Sequence, residues 1–159
     1  MQTAVELFEN TLNWLQENYF NFRFFTERDV VWTLQTHLQQ QIAESKLNYQ
    51  VFNDYPLLPG SHRHLSADLV ILTPTNGVQV AAEFKYEPSH ERFDIQKQKL
   101  PVVFWGNEGV EKDIRRIHEF VEKGKTKAAY SIFIDEGGYF RKRPPHDHST
   151  WKEWHKGVW

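Results

Sequence analysis

The period of the apolar residues changes along this chain, and that change limits its fold more than any other feature. From residue 3 to about residue 45, apolar side chains recur at helical spacing. Between residues 47 and 87 they follow strand-like patterns rich in β-branched and aromatic residues. A helical pattern returns at 110–122, and a strand pattern follows at 128–135. The sequence therefore predicts helix, helix, three strands, helix, strand, which is a mixed α/β sheet domain covered by helices.

The predicted helices have recognisable starts and apolar stripes. The first begins at Thr3, which has capping-box spacing to Glu6, and the second runs from Thr26 to about Ser45. A third spans 110–122 and stops before Gly124. Their predicted core-facing stripes are Phe8, Leu12, Leu15 and Tyr19, then Val31, Leu34, Leu38 and Ile42, then Val110, Ile114, Ile117 and Val121.

Four strands are predicted, at 47–55, 67–73, 78–87 and 128–135. The run Pro74-Thr75-Asn76-Gly77 predicts a tight hairpin turn between the second and third strands. We expect a central mixed sheet of four to five strands with flanking helices. On the third strand, Val78, Val80, Ala82, Phe84 and Tyr86 are predicted to face the core.

Length and composition indicate one folded domain. The 159 residues are 40% hydrophobic, and no linker divides them. We expect a core at 26–135, an N-terminal helix within 1–25 and a tryptophan-rich tail at 136–159. The absence of cysteine excludes disulfides, thiolate zinc sites and a cysteine nucleophile. The acidic, amphipathic first residues and the lack of a long apolar run predict a cytoplasmic protein without a membrane segment.

The net charge of −2 argues against a protein that coats nucleic acid through bulk electrostatics. The charge is uneven, because residues 112–143 hold nine basic and five acidic side chains, a surplus of +4. This segment could contact phosphates locally or could be a solvated surface. Composition alone favours the solvated surface.

Three residues on the predicted hairpin suggest chemistry. Glu83 and Lys85 are two apart on a strand, so their side chains leave the same face. Asp68 begins the partner strand, which can bring its carboxylate beside Glu83. Paired carboxylates repel each other, and a divalent cation commonly relieves that repulsion. A nearby lysine can orient or deprotonate a water and stabilise developing negative charge.

Glu27 adds an independent indication from the second helix. It precedes Leu34 by seven residues and Leu38 by eleven, which places it within about 40° of the apolar stripe. An inward-facing carboxylate needs a metal, a lysine or backbone donors as a partner. Taken singly, each candidate has an ordinary explanation: an exposed Glu-x-Lys pair, a turn aspartate or a capping glutamate. Their combination favours a functional site.

The pattern of Asp68, then Glu83-Phe84-Lys85 fifteen residues later, resembles the PD-(D/E)XK nuclease superfamily with its restriction-endonuclease-like fold. The resemblance covers residues 26–135, including the helix with Glu27 and the helix and strand after the hairpin. Ala67 stands where a proline often precedes the first aspartate of that motif.

The resemblance implies a metal-dependent nuclease, most simply a DNA endonuclease. Asp68, Glu83 and the backbone carbonyl of Phe84 would bind Mg²⁺, or Mn²⁺ in its place. Lys85 would position the attacking water, and Glu27 would assist through a metal-bound water or by holding Lys85. The acidic balance favours dependence on a homodimer or a partner protein for nucleic-acid binding. The alternatives are a degenerate member that acts as a binding or assembly subunit, and an unrelated sheet domain.

Further side chains could contribute more weakly. His62, Arg63 and His64 precede Asp68 and are candidate nucleic-acid contacts, as are Arg115 and Arg116 on the predicted polar side of the third helix. His146 and His148 flank Asp147 and resemble a metal-binding cluster, although an exposed loop explains them more simply. The tail tryptophans indicate packing or an oligomer contact rather than a base-stacking platform.

Overall fold

The predicted order of elements is confirmed by a computed structural model, which describes residues 2–57, 66–95, 109–138 and 140. A single 3₁₀ turn, Tyr19–Asn21, follows the first helix. The main elements are α1 (Ala4–Asn18), α2 (Glu27–Glu44), β1 (Gln50–Pro56), β2 (Ser66–Leu72), β3 (Val78–Glu87), α3 (Gly109–Glu122) and β4 (Ala128–Asp135). Most of the tryptophan-rich tail lies outside the described residues.

The four strands form one mixed sheet in the order β1-β2-β3-β4. The first three are antiparallel neighbours, whereas β3 and β4 are parallel. The fold is therefore α+β, a four-stranded mixed sheet flanked by helices. The helix α3 makes the crossover that a parallel pair of strands requires.

The first helix begins with the predicted capping box, and α2 begins with a similar one. The Glu6 backbone N–H donates to the Thr3 hydroxyl at 3.2 Å, and the Thr3 N–H donates to the Glu6 carboxylate at 2.8 Å. At α2, the Asp29 carboxylate accepts from the Thr26 N–H at 2.8 Å. The cap fixes the start of α2, and so places Glu27 in its first turn.

The first strand begins at Gln50, three residues later than predicted. The chain first completes the end of α2, where Lys46 takes a left-handed conformation with φ 51°. The Leu47 N–H then donates to the Ile42 carbonyl at 2.9 Å, a bond typical of helix termination. The apolar residues 47 and 49 pack against the core without belonging to the strand.

The sheet is covered on both faces. Helices α1 and α2 pack on one face and bury the larger apolar core, which includes Phe8, Leu34, Leu69 and Phe84. Helix α3 packs on the opposite face with a smaller cluster, which includes Val70, Ala81 and Phe120. We call these the α1/α2 face and the α3 face.

The predicted side of Val78 is wrong. A bulge shifts the register, so that Ile71 pairs with Val80 while Leu72 pairs with Val78. An extra residue on one strand reverses the alternation of side chains beyond it. Val78 consequently packs with the α3-face cluster, while Val80 stays in the larger core.

The predicted stripe of α3 is also partly wrong. Val121 is 46% exposed, whereas Asp113 and Phe120 are buried and Ile117 packs on the smaller cluster. Residues 113, 117 and 120 follow i, i+4, i+7 spacing, so the helix is rotated relative to the predicted stripe. The rotation turns a charged residue toward the sheet.

Among the described helices, none is both long enough and apolar enough to cross a membrane.

Candidate active site

Asp68 and Glu83 lie side by side on the β2–β3 hairpin. The ladder pairs Leu69 with Ala82, which places Asp68 opposite Glu83 at the next step. The Phe84 N–H donates to Asp68 Oδ2 at 2.7 Å and fixes that carboxylate against β3. Each acid lies two residues from one that packs toward α3 and therefore shares its face: Asp68 with Val70, and Glu83 with Ala81. The structure thus brings the two predicted carboxylates together on the α3 face.

Lys85 connects three parts of the fold. Its ammonium group donates to the Phe84 carbonyl at 2.8 Å and to Glu27 Oε2 at 3.1 Å. It also lies 3.1 Å from Asp113 Oδ2. Since Glu27 belongs to α2 and Asp113 to α3, the lysine tip is held between the two helices at the edge of the site.

Glu27 pairs with a lysine, which is one of the partners predicted for an inward-facing carboxylate at this position. Its side chain is 34% exposed and pairs with Lys85 across the end of the sheet. Direct contact with Lys85 corresponds to the second of its two predicted roles, holding the lysine. The role itself stays a prediction.

Arg116 does not lie on the polar side of α3, where the sequence placed it. Its side chain is 17% exposed, and Nη2 lies 3.2 Å from Glu83 Oε1. It also donates to the Ser66 carbonyl and lies 3.5 Å from Asp113. The rotation of α3 explains the error, because residue 116 lies three positions after buried Asp113 and four before buried Phe120. Arg115 is exposed, as predicted for a polar position.

Asp113 was not among the predicted site residues. It is 3% exposed and contacts both cations of the site, Lys85 and Arg116. Its sequence signal was the spacing to Ile117 and Phe120, which places it on a buried helix face. The apolar residues Val110 and Val121 indicated a different face and concealed that signal.

The charges of this cluster do not balance. Four carboxyl groups, of Glu27, Asp68, Glu83 and Asp113, surround two cations, of Lys85 and Arg116, which leaves a formal charge of −2. Burial, followed by the nearby charge of Asp68, raises the pKa of Glu83 to about 9. Burial also raises the pKa of Asp68 and that of Glu27.

The pKa of Lys85 is raised, whereas the pKa of most buried amines is lowered. Burial lowers its pKa, but the charges of Glu27 and Asp113 outweigh burial, and the net change is upward. The side chain is therefore an ammonium group at neutral pH. As a cation it can donate hydrogen bonds and stabilise anions, but it cannot accept a proton.

The donor set of the cluster suits a hard divalent cation. Glu83 Oε1 and Asp113 Oδ2 are buried carboxylate oxygens, in ion-pair contact with Arg116 and Lys85 respectively. All candidate ligands are oxygen atoms, which Mg²⁺ and Mn²⁺ prefer. Among the described residues, no three or more carboxylate or imidazole groups already form a metal-binding group. The metal ligands therefore stay predictions: Asp68, Glu83 and the Phe84 carbonyl.

Several predicted residues lie outside the described part of the chain. These are His62, Arg63 and His64 in the segment before β2, and His146, Asp147 and His148 in the tail.

Comparison with known proteins identified no relative of this chain. No family model matches the chain, and no curated protein or solved structure matches it significantly.

Proposed function

We propose that this protein is a metal-dependent phosphodiesterase acting on nucleic acid, most simply a DNA endonuclease. The observation that carries the proposal is the grouping of Asp68, Glu83 and Lys85 on one face of the hairpin. Three residue types that phosphodiester hydrolysis needs converge there, although they come from two strands. The resemblance to PD-(D/E)XK nucleases, read from the same residues, gives the reaction class.

Asp68, Glu83 and the Phe84 carbonyl would hold Mg²⁺ or Mn²⁺. A bound divalent cation would neutralise the surplus charge of −2 and stabilise the negative charge that develops on the phosphate. Glu83 has a raised pKa and would release its proton when it becomes a ligand. The Phe84 N–H keeps the Asp68 carboxylate in place.

Lys85 would orient the attacking water and stabilise the phosphate charge as a cation. The upward shift of its pKa favours this role over proton removal. Glu27 would hold the lysine tip from the α2 side through its 3.1 Å contact. Holding the ammonium in place would contribute strongly to the reaction rate, since small displacements of a reacting group slow catalysis.

Substrate binding needs positive charge outside this cluster. The side chain of Arg116 is only 17% exposed, whereas Arg115 is exposed, so Arg115 is the more accessible candidate phosphate contact on α3. With a net charge of −2, the chain would rely on a second copy or a partner protein for strong DNA binding.

The test is a cleavage assay with Mg²⁺ or Mn²⁺ on single- and double-stranded DNA and RNA. Lys85→Ala should reduce the rate by roughly two to three orders of magnitude, since an electrostatic contact to the transition state is lost. Lys123→Ala removes an exposed lysine that pairs with Glu119 and is the matched control. Cleavage that survives both Lys85→Ala and Glu83→Gln would contradict the proposal.

The second candidate is a degenerate binding or assembly subunit. One observation favours it: Lys85 and Arg116 already partner Glu27, Glu83 and Asp113, as in a structural ion-pair cluster. A wild-type protein that is inert on every substrate, alone and with its natural partners, would support this candidate.

A further inference from the structure

Asp113 is the most buried charged residue of α3. Its carboxylate lies on the sheet side of the helix, one turn before Ile117 and two before Phe120. An apolar residue at this position would extend the smaller core. A buried carboxylate there is costly unless it is paired, so its contacts need an explanation.

The contacts of Asp113 converge on the site. Oδ2 lies 3.1 Å from the Lys85 ammonium, and Oδ1 lies 3.5 Å from the Arg116 guanidinium. The same guanidinium reaches Glu83, the predicted metal ligand. Through these two cations, α3 is linked to the two strand residues on which the proposed chemistry depends.

Lys85 has two carboxylate partners of different accessibility. The side chain of Glu27 is 34% exposed, whereas that of Asp113 is 5% exposed. A more buried partner interacts more strongly with a charge, because solvent screens it less. Asp113 is therefore the partner that solvent screens less, and it contacts the lysine tip from the buried side.

We propose that Asp113 is a positioning residue, which holds the Lys85 ammonium from the α3 side for the proposed reaction. This inference rests on the proposed function. Glu27 and Asp113 then act as two fixed points on either side of the lysine, and the packing of α3 determines where the ammonium lies. The helix would contribute to catalysis without touching the substrate through Asp113.

The experiment compares Asp113→Asn with Glu119→Gln in the full chain. Glu119 is on the same helix and pairs with Lys123 away from the site, so its variant is the matched control. Cleavage is measured at saturating Mg²⁺ or Mn²⁺, with kcat, KM and the activating metal concentration determined separately. Thermal melting shows whether each variant is folded.

We expect Asp113→Asn to lower kcat by about 10- to 100-fold, as for misplacement of a reacting group. KM and the activating metal concentration should stay within about threefold of wild type, and Glu119→Gln should change nothing. The double variant Lys85→Ala/Asp113→Asn should be no slower than Lys85→Ala alone, since residues that act as a unit are not additive. A structural role in folding would not produce that equality.

Asp113→Glu keeps the charge and guards against a folding defect in the asparagine variant. Its kcat should lie between those of wild type and Asp113→Asn. If both variants are fully active, or if the double variant is much slower than Lys85→Ala, the role of Asp113 is overturned while the proposed function stands. A wild-type protein that cleaves nothing overturns both.

Discussion

The two faces of β3 differ in chemistry although both are buried. Toward α1 and α2, the strand presents Val80, Ala82, Phe84 and Tyr86 to a continuous apolar core. Toward α3 it presents Ala81, Glu83, Lys85 and Glu87, and all but Lys85 are buried. Burial therefore does not distinguish the faces.

The two faces of β3 contribute to stability in opposite ways. Apolar burial on the α1/α2 face contributes the free energy that holds the sheet, at roughly 25 cal/mol per Å² of apolar surface. Buried carboxylates on the α3 face oppose folding unless they are neutralised. We interpret that cost as the sign of a site, because functional sites commonly break the rules that stabilise a fold.

The largest expected change in the free energy of unfolding comes from a substitution on the α1/α2 face. Phe84 is 1% exposed, so Phe84→Ala should lower the free energy of unfolding by about 3–5 kcal/mol through lost burial and a cavity. Phe93→Ala, at a fully exposed phenylalanine, should change it by no more than about 0.5 kcal/mol. Denaturant unfolding measures both, and similar losses from the two variants would contradict the assigned core.

The next effect is stabilisation of the fold by a divalent cation bound on the α3 face. Saturating Mg²⁺ or Mn²⁺ should stabilise the folded protein by about 2.7 kcal/mol at one hundred times its Kd, because only the native state brings the carboxylates together. Melting with and without metal measures the effect, which should vanish in Asp68→Asn. Asp54→Asn, at an exposed aspartate on β1, should retain it. An equal rise in Asp68→Asn would locate the metal elsewhere.

The third effect is the dependence of stability on pH. The pKa of Glu83 is about 9 in the fold, whereas an ordinary glutamate has a pKa of 4.5, so the native state binds more protons than the unfolded state between those values. Its contribution to stability is therefore complete at low pH and is lost as pH rises toward 9.

Denaturant unfolding between pH 5 and pH 9 tests this sign. Glu83→Gln should flatten the decline, whereas Glu17→Gln, at an exposed position on α1, should leave it unchanged. Asp68 and Glu27 also have raised pKa values, so some decline should persist in Glu83→Gln. A wild-type protein whose stability rises over this range would contradict the buried, unneutralised cluster.

Local sequence patterns predicted most of the fold. The capping residue Thr3 and the turn at Asn76, with φ 60°, act through neighbouring backbone groups, so their signals are readable without the rest of the chain. The shared face of Glu83 and Lys85 follows from the period of a strand in the same way. The bulge at Leu72 was missed because it depends on how two strands align.

Local patterns in the amino-acid sequence were enough to predict the order of the elements, the hairpin and the side of β3 that carries Glu83 and Lys85. Which side of α3 faces the sheet, and with it the places of Asp113 and Arg116, depended on tertiary packing. A helix with charged and apolar residues on overlapping sides has no unique inward face until it packs. Here the carboxylates and the lysine of the sheet supply partners for the charges, so electrostatic pairing as well as apolar burial sets its rotation.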